Sequence, residues 1–274
     1  MFNINPFAEL SGLIPPIVMQ AYVILMAILV AGGTLLDTLH KKSAQYFFEN
    51  SEKQKKMASR EVSGGEKVGI AIKTVAEDVL TSAEFCNQKR RVAHLLTMYG
   101  FILFVVSTAV MIFGYADSAN AAAWPLLWHV GALMVCVGGY WFWFFIRVDV
   151  AAEGNPWYRV VRADLFILAL LATTTFALLW SVLGGIFIFV LFIAATTVLF
   201  STVLWSKFAH MFFKPAAAFQ KRVTKADGSM ENLPEIPDLS DPAVHQRYPD
   251  IPEYLGKNPP NMGLGIKRET PNHY

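Results

Sequence analysis

Charge is what this sequence has least of. Only 16% of its 274 residues are Asp, Glu, Lys or Arg, against about 25% in an ordinary soluble domain. Hydrophobic residues make up 54%, too many for a soluble surface of usual composition. Cysteine is nearly absent: Cys86 and Cys136 are the two. That excludes a four-cysteine zinc or iron–sulfur site held by this chain alone, and a disulfide framework. Cys136 lies in an apolar run, the place of a small buried residue. No nucleotide-binding loop, catalytic triad or metal-hydrolase motif occurs, and with a net charge of +2 no nucleic-acid partner is expected. The first residues lack a basic region and the first apolar run is long for a signal core, so it is expected to stay in place as a helix.

What is present is long apolar runs, each near or above the roughly 20 residues that cross a bilayer. The first runs from about Pro16 to Leu39, the second from Val92 to Tyr115, the third from Trp124 to Ile146. A fourth apolar stretch, from about Leu165 to Met211, is too long for one span and contains Gly184-Gly185 near its middle. Glycine pairs punctuate helices, which splits the stretch in two. The expected fold is therefore all-α, a polytopic membrane bundle of five transmembrane helices.

Lys and Arg mark its orientation. The first connection, within residues 41–91, carries eleven of them, including Lys53, Arg60, Lys73, Arg90 and Arg91. The connection from Ala116 to Ala123 has none, the third has Arg147, Arg159 and Arg162, and the glycine turn has none. The fifth run ends among Lys207, Lys214, Lys221 and Arg222. This alternation puts a periplasmic N-terminus (residues 1–15) outside and the C-terminus inside. The membrane domain is then 16–214, with a cytoplasmic loop at 41–91 and a Pro-rich cytoplasmic tail at 215–274. The tail is too poor in aliphatic clusters to fold unaided. In the loop, Val68, Ile72, Val75 and Val79 recur at helical spacing between Lys67, Lys73, Glu77 and Asp78. That pattern suits an amphipathic helix lying on lipid headgroups, or a docking surface for a soluble partner.

Ionisable groups at or in membrane spans are candidates for function. By this topology His40, His94 and His210 lie at the cytoplasmic face and His129, beside Trp124 and Trp128, toward the outer one; His245 and His273 fall in the tail. His94 and His210 sit on separate helices at similar depth, an arrangement that could hold a haem iron from both sides. A histidine at a helix end also serves as a plain interfacial residue, the reading kept for His40. His129 reads as an aromatic-belt residue. Tyr99, Trp141, Trp143 and Trp205 could line a quinone site, and Asp37 and Asp164 could carry its protons, though pairing with nearby Lys or Arg is the simpler role. Gly32-Gly33, Gly138-Gly139 and Thr173–Thr175 read as close-packing residues.

The runs Arg90-Arg91-Val92-Ala93-His94 through Tyr99-Gly100-Phe101, and Lys207-Phe208-Ala209-His210-Met211 before Pro215, resemble the nitrate reductase gamma-type family of cytochrome b membrane subunits. That group includes the membrane parts of heterodisulfide-reductase-like and quinone-interacting complexes. The resemblance covers about three quarters of the chain and implies a five-helix bundle with its N-terminus outside. The two-haem members carry a second histidine pair, and counting to those positions lands on Phe104 and Phe192. The resemblance thus implies at most one haem b, with His94 and His210 as axial ligands of its iron. Within the group, the length, reduced histidine set and Pro-rich tail are similar to membrane proteins associated with dissimilatory adenylylsulfate reductase. That likeness implies the bacterial cytoplasmic (inner) membrane, a soluble flavin and iron–sulfur oxidoreductase docked at its cytoplasmic face, and electrons passed to quinone; substrate turnover would belong to the partner. A structural anchor or assembly protein without a redox centre explains the bundle, loop and tail equally well. A transporter fits less well, since no inverted repeat and no mid-span charge is evident.

Overall fold

The computed structural model describes residues 2–40, 43–83, 85, 87–149, 153–206, 208, 210–230, 233, 241–247 and 249, with the side chains of all of these except 43–48, 210, 212 and 245. Among them every regular element is helical. A short helix α1 (Pro6–Glu9) opens the chain, with proline at its first position, where its missing N–H costs nothing. Asn5 caps it and is fully buried: its side chain accepts from Phe7 N and donates to the carbonyls of Tyr115 and Ser118. The N-terminal segment, for which the sequence indicates a location but no structure, is thus a plug. It drives Phe7 and Leu10 into the core cluster that holds Trp128 and Trp180.

Helix α2 (Pro16–His40) is followed by two polar helices, α3 (Ser43–Met57) and α4 (Gly64–Thr74). Ser63 caps α4 by accepting from Glu66 N, and a wide helical turn prolongs it over Val75–Leu80. Helix α5 (Gln88–Gly114) starts on Asn87, whose side chain accepts from Arg90 N. Helices α6 (Trp124–Trp141) and α7 (Leu165–Leu183) come next, α6 extended to Ile146 by another wide turn. Four helices, α2, α5, α6 and α7, are long and apolar enough to cross a membrane.

The α5–α6 pair forms the closest helix crossing. A side chain added at Gly100 would meet Gly131 O at 2.7 Å, and one at Gly131 would meet Phe104 N at 2.7 Å. Only residues without a Cβ let the two backbones come this near. Gly138 and Gly139 are likewise pressed against Ala93 and Leu171, and Gly33 against Val203, whereas Gly32 faces open space. α7 ends at Gly184 (φ 68°) and Gly185 (φ 85°), a left-handed pair that glycine adopts without strain. The chain then doubles back as α8 (Ile186–Ser201) along α7. At 16 residues α8 is about 24 Å long, shorter than a hydrocarbon core of about 30 Å.

The apolar run read as continuous to Met211 breaks at Thr202. There the chain makes a 3-10 turn over Val203–Trp205 and extends through Ser206. The break lets Val203 close on Gly33 of α2 and lets Phe208, 2% exposed, enter the cluster of Phe101, Phe166 and Phe200. A new helix, α9 (His210–Ala226), then crosses Pro215, the point at which the sequence reading starts the tail. α9 lies on α4. Arg222 donates to Asp78 (2.8 and 3.0 Å) and Glu77 (2.8 Å), and Asp227 accepts from Gln54 of α3 and from Ser229 N. α3, α4 and α9 therefore form a polar subassembly at one end of the bundle, called the basic end here. Cys86, and the tail prolines 234, 237, 252, 259, 260 and 271, lie outside the described residues.

Candidate functional site

Three places carry chemistry. The first is His94, on the second turn of α5 at the basic end. Ser82, nearly fully buried, holds its Oγ 3.0 Å from His94 Nδ1. Ser82 lies at φ 48°, an uncommon conformation for a residue with a Cβ, and the loop around it is tied to α5 by Arg91 Nε and Tyr99 Oη, which donate to the carbonyls of Thr81 and Leu80. Which of the two groups donates depends on the imidazole tautomer; a hydrogen bond at one ring nitrogen is what orients metal-binding imidazoles. The Phe85 ring packs on His94 with centroids 4.9 Å apart. Lys214 Nζ stands 5.0 Å and Arg90 Cζ 5.8 Å from the centroid of that same ring. Phe85 thus joins the start of α5 to the start of α9. His210, four residues before Lys214, opens α9, and its side chain lies outside the described residues.

An iron held from two sides needs two axial donors. Of the two histidines read as a pair, the described side chains include one, His94, and no group of three or more His, Cys, Asp or Glu is found among the described residues. The donor chemistry of His94 and its Ser82 contact fit a haem ligand; the second ligand rests on His210. At Phe104 and Phe192 the core is an aromatic stack. Phe104 lies on Trp128 (5.2 Å, 25°), Phe192 on Trp180 (6.0 Å, 13°), and the two phenyl rings meet edge to face at 6.4 Å.

The second place is a cleft of about 750 Å³ between α2 and the faces of α5, α7 and α8. It runs from Met19 to Thr38 along α2, about 28 Å at 1.5 Å per residue. Phe101, Phe104, Phe192 and Phe200 form much of its far wall. It lies within the roughly 300–1,000 Å³ of ordinary ligand pockets. Neither His94 nor Tyr99, Trp141, Trp143 or Trp205, the aromatics the sequence offers for a quinone, lines it. Tyr99 is engaged at Leu80, Trp143 lies under Arg147, and Trp205 is half exposed. One signal was available: Ala27, Ala31, Thr34 and Thr38 fall on one face of α2, a stripe of small residues that ordinarily means close helix packing. Here α2 is the least buried of the four long helices, and the stripe faces a gap.

The third place is Arg147, 2% exposed at the end of α6's extension. It donates to Asp164 (2.6 Å) and to Arg159 O (2.7 Å), and its guanidinium stacks over Trp143 at 4.0 Å. Asp164 also accepts from Val161 N, so it is a structural partner that fastens the 147–164 connection. Asp37 is buried on α2. His129, read as a headgroup-level residue, is instead 6% exposed under the N-terminal plug, edge-on to Phe2 and Trp128, with Nδ1 2.6 Å from Pro125 O. His40 is exposed at the end of α2.

On α4, Val68, Ile72 and Val75 are all at least half exposed. α9 covers the opposite face, where Thr74 is buried and Asp78 binds Arg222. Comparison with protein-family models, with curated proteins and with solved structures finds no match for this chain.

Proposed function

We propose that this chain is the membrane anchor and electron-transfer subunit of a quinone-linked oxidoreductase in the bacterial cytoplasmic membrane. Its partner is a soluble flavin and iron–sulfur enzyme on the cytoplasmic side, and the sequence resemblance favours dissimilatory adenylylsulfate reductase. In this reading α8 is the fifth span, completed at both ends by the flanking turns. The N-terminal plug is periplasmic, and the subassembly of α3, α4 and α9 is cytoplasmic, in line with the distribution of Lys and Arg.

The observation that carries the proposal is the ring of Phe85, which His94 and Lys214 of α9's first two turns both touch. It supports bringing His94 and His210 to one site at the basic end, where one haem b would be held. A haem so held supplies one-electron transfer between the docked enzyme and quinone. The protein's own share is definite. Ser82 orients the imidazole, Phe85 shields its face, and Arg90 and Lys214 place positive charge beside a ligand that carries carboxylates. The α4–α9 clasp through Arg222 gives the partner a fixed platform.

A second reading, a non-redox anchor or assembly protein, draws support from the Trp128–Phe104–Phe192–Trp180 stack, which offers iron no donor. Proteoliposomes containing the full chain, ubiquinone and adenylylsulfate reductase separate the two. With sulfite and AMP supplied, quinone reduction should require the chain and fall at least tenfold in His94→Ala. Equal rates with and without the chain would reject the electron-transfer role.

A further inference from the structure

Helix α4 carries a face that no described residue covers. Val68, Ile72 and Val75 follow one another at steps of four and three residues, with Gly69 and Ala76 beside them, all exposed. In the wide turn each hydrogen bond spans five residues instead of four. The row therefore continues at Leu80, five residues after Val75, and Leu80 is the more exposed while Val79 is partly covered. The same register turns Glu77 and Asp78 the other way, onto Arg222 of α9. The face is thus apolar along its length, with Lys67 and Lys73 on its two flanks. Contacts with α5 fix its depth. No charged residue follows Arg91 in α5, so the apolar part of that helix starts there. Yet Leu80 O accepts from Tyr99 Oη (2.5 Å), and Ser82 meets His94. Tyr99 and His94 lie eight and three residues past Arg91, about 12 and 5 Å by helical rise. Helix side chains lean toward the N-terminus, and even so the end of the wide turn is level with the apolar part of α5. Contacts of α9 fix the tilt. Phe208, just before α9, packs on Phe101, and Arg222 near its other end grips Asp78, two residues from Leu80. Both ends of α9 are therefore held near one level of α5. α9 runs across the bundle axis, and α4 lies on it.

We propose that α4 and its wide turn form an in-plane helix embedded in the lipid leaflet at the basic end. The row from Val68 to Leu80 lies against acyl chains, and Lys67 and Lys73 reach the headgroup phosphates. The occupant of this face is lipid because of its depth. Tyr99 and Ile102 on α5 are 40% and 51% exposed, and the lipid that covers them also covers Leu80. A water-soluble protein could reach the same level only by displacing that lipid. Lysine stems bury along apolar surface while their ammonium groups stay at the phosphates. A helix with an aliphatic face and flanking lysines enters the interface in this way. The placement needs neither haem nor a partner enzyme, so it goes beyond the proposed function and does not rest on it.

The test uses the full chain in vesicles of phosphatidylethanolamine and phosphatidylglycerol with a trace of phosphatidylcholine that carries a diazirine in its acyl chain. After illumination, labelled residues are mapped by peptide mass spectrometry, with Ile102 as the reference for a lipid-facing span. The expected result is label between Val68 and Leu80 and none on α3. Ile72→Asp, at an exposed position, keeps the fold and should cut label between Val68 and Leu80 by roughly tenfold or more, with label at Ile102 unchanged. The same label in a chain that proves to hold no haem would support the proposal while removing the electron-transfer reading. Label at Ile102 with none between Val68 and Leu80 would overturn it and leave this face to a soluble partner, and undiminished label in Ile72→Asp would overturn it as well. No label at either place would overturn it together with the membrane spans.

Discussion

Replacing Gly131 with Ala puts a methyl group where two helix backbones already touch. The added Cβ would lie 2.7 Å from Phe104 N and 2.8 Å from Gly100 O, whereas ordinary van der Waals contact begins at 3.4 Å. Both neighbours are main-chain atoms of α5, so no side chain can swing aside. The helices must part by something like 0.6–0.7 Å, and the separation spreads along the crossing that Gly100 and Gly138 also form. Overpacking of this kind costs about 1–3 kcal/mol, which at ~2–4 °C per kcal/mol lowers Tm by roughly 2–12 °C. Gly32→Ala is the control. Nothing lies within 4 Å of its added methyl, and alanine favours helix by up to about 1 kcal/mol. Thermal unfolding of the detergent-purified protein, followed by tryptophan fluorescence, reports both. A Gly131→Ala protein as stable as Gly32→Ala would refute the α5–α6 crossing as described.

Three further outcomes follow from the ion pairs. Asp164→Asn leaves Arg147 buried and short of its anion, so it should cost about 3–5 kcal/mol, and Arg147→Met combined with Asp164→Leu should recover most of that loss in the same melting experiment. Arg222→Ala removes a partly exposed clasp worth no more than about 1 kcal/mol; it should speed amide exchange along α9 and leave α5 and α6 unchanged. Acid should release the α3–α9 contact in a defined range. Burial pushes the Asp227 carboxyl up, but hydrogen bonds from Gln54 and Ser229 and the Arg60 charge outweigh it, so its pKa lies below the usual value. A depressed folded pKa contributes stability above the unfolded value and loses it as pH falls through the folded one. Amide exchange near Ser229 should therefore stay constant above about pH 5, after correction for intrinsic rates, and rise below about pH 4.

Four long apolar helices, α2, α5, α6 and α7, were legible because hydropathy marks bilayer-length runs directly, and the turn at Gly184-Gly185 because only glycine adopts two successive positive φ values cheaply. The α4 helix was legible from the spacing of Val68, Ile72 and Val75. The break after Ser201 was not, since Thr202–Trp205 is as apolar as the helix before it and its turn depends on Val203 meeting Gly33, 170 residues earlier in the chain. Nor was the extent of α9. A proline six residues into a helix argues locally for a stop, but the Arg222 pairing with Glu77 and Asp78 holds the helix down from across the sequence. The same holds for the candidate sites. His94 stood out by residue type and depth, while the contacts with Ser82 and Phe85 depend on a loop whose path no periodicity encodes. The cleft was hidden because its alanine and threonine stripe has the pattern of close packing, and only tertiary structure distinguishes a filled groove from an open one.

The electron-transfer account stands or falls on iron at the basic end. A reduced-minus-oxidised visible spectrum of the purified chain, expressed with adequate haem supply and calibrated by pyridine haemochrome, measures it. The account predicts a b-type signal close to one haem per chain, lost in both His94→Ala and His210→Ala while the helical fold is retained. A spectrum without haem, or haem retained in both variants, would contradict it.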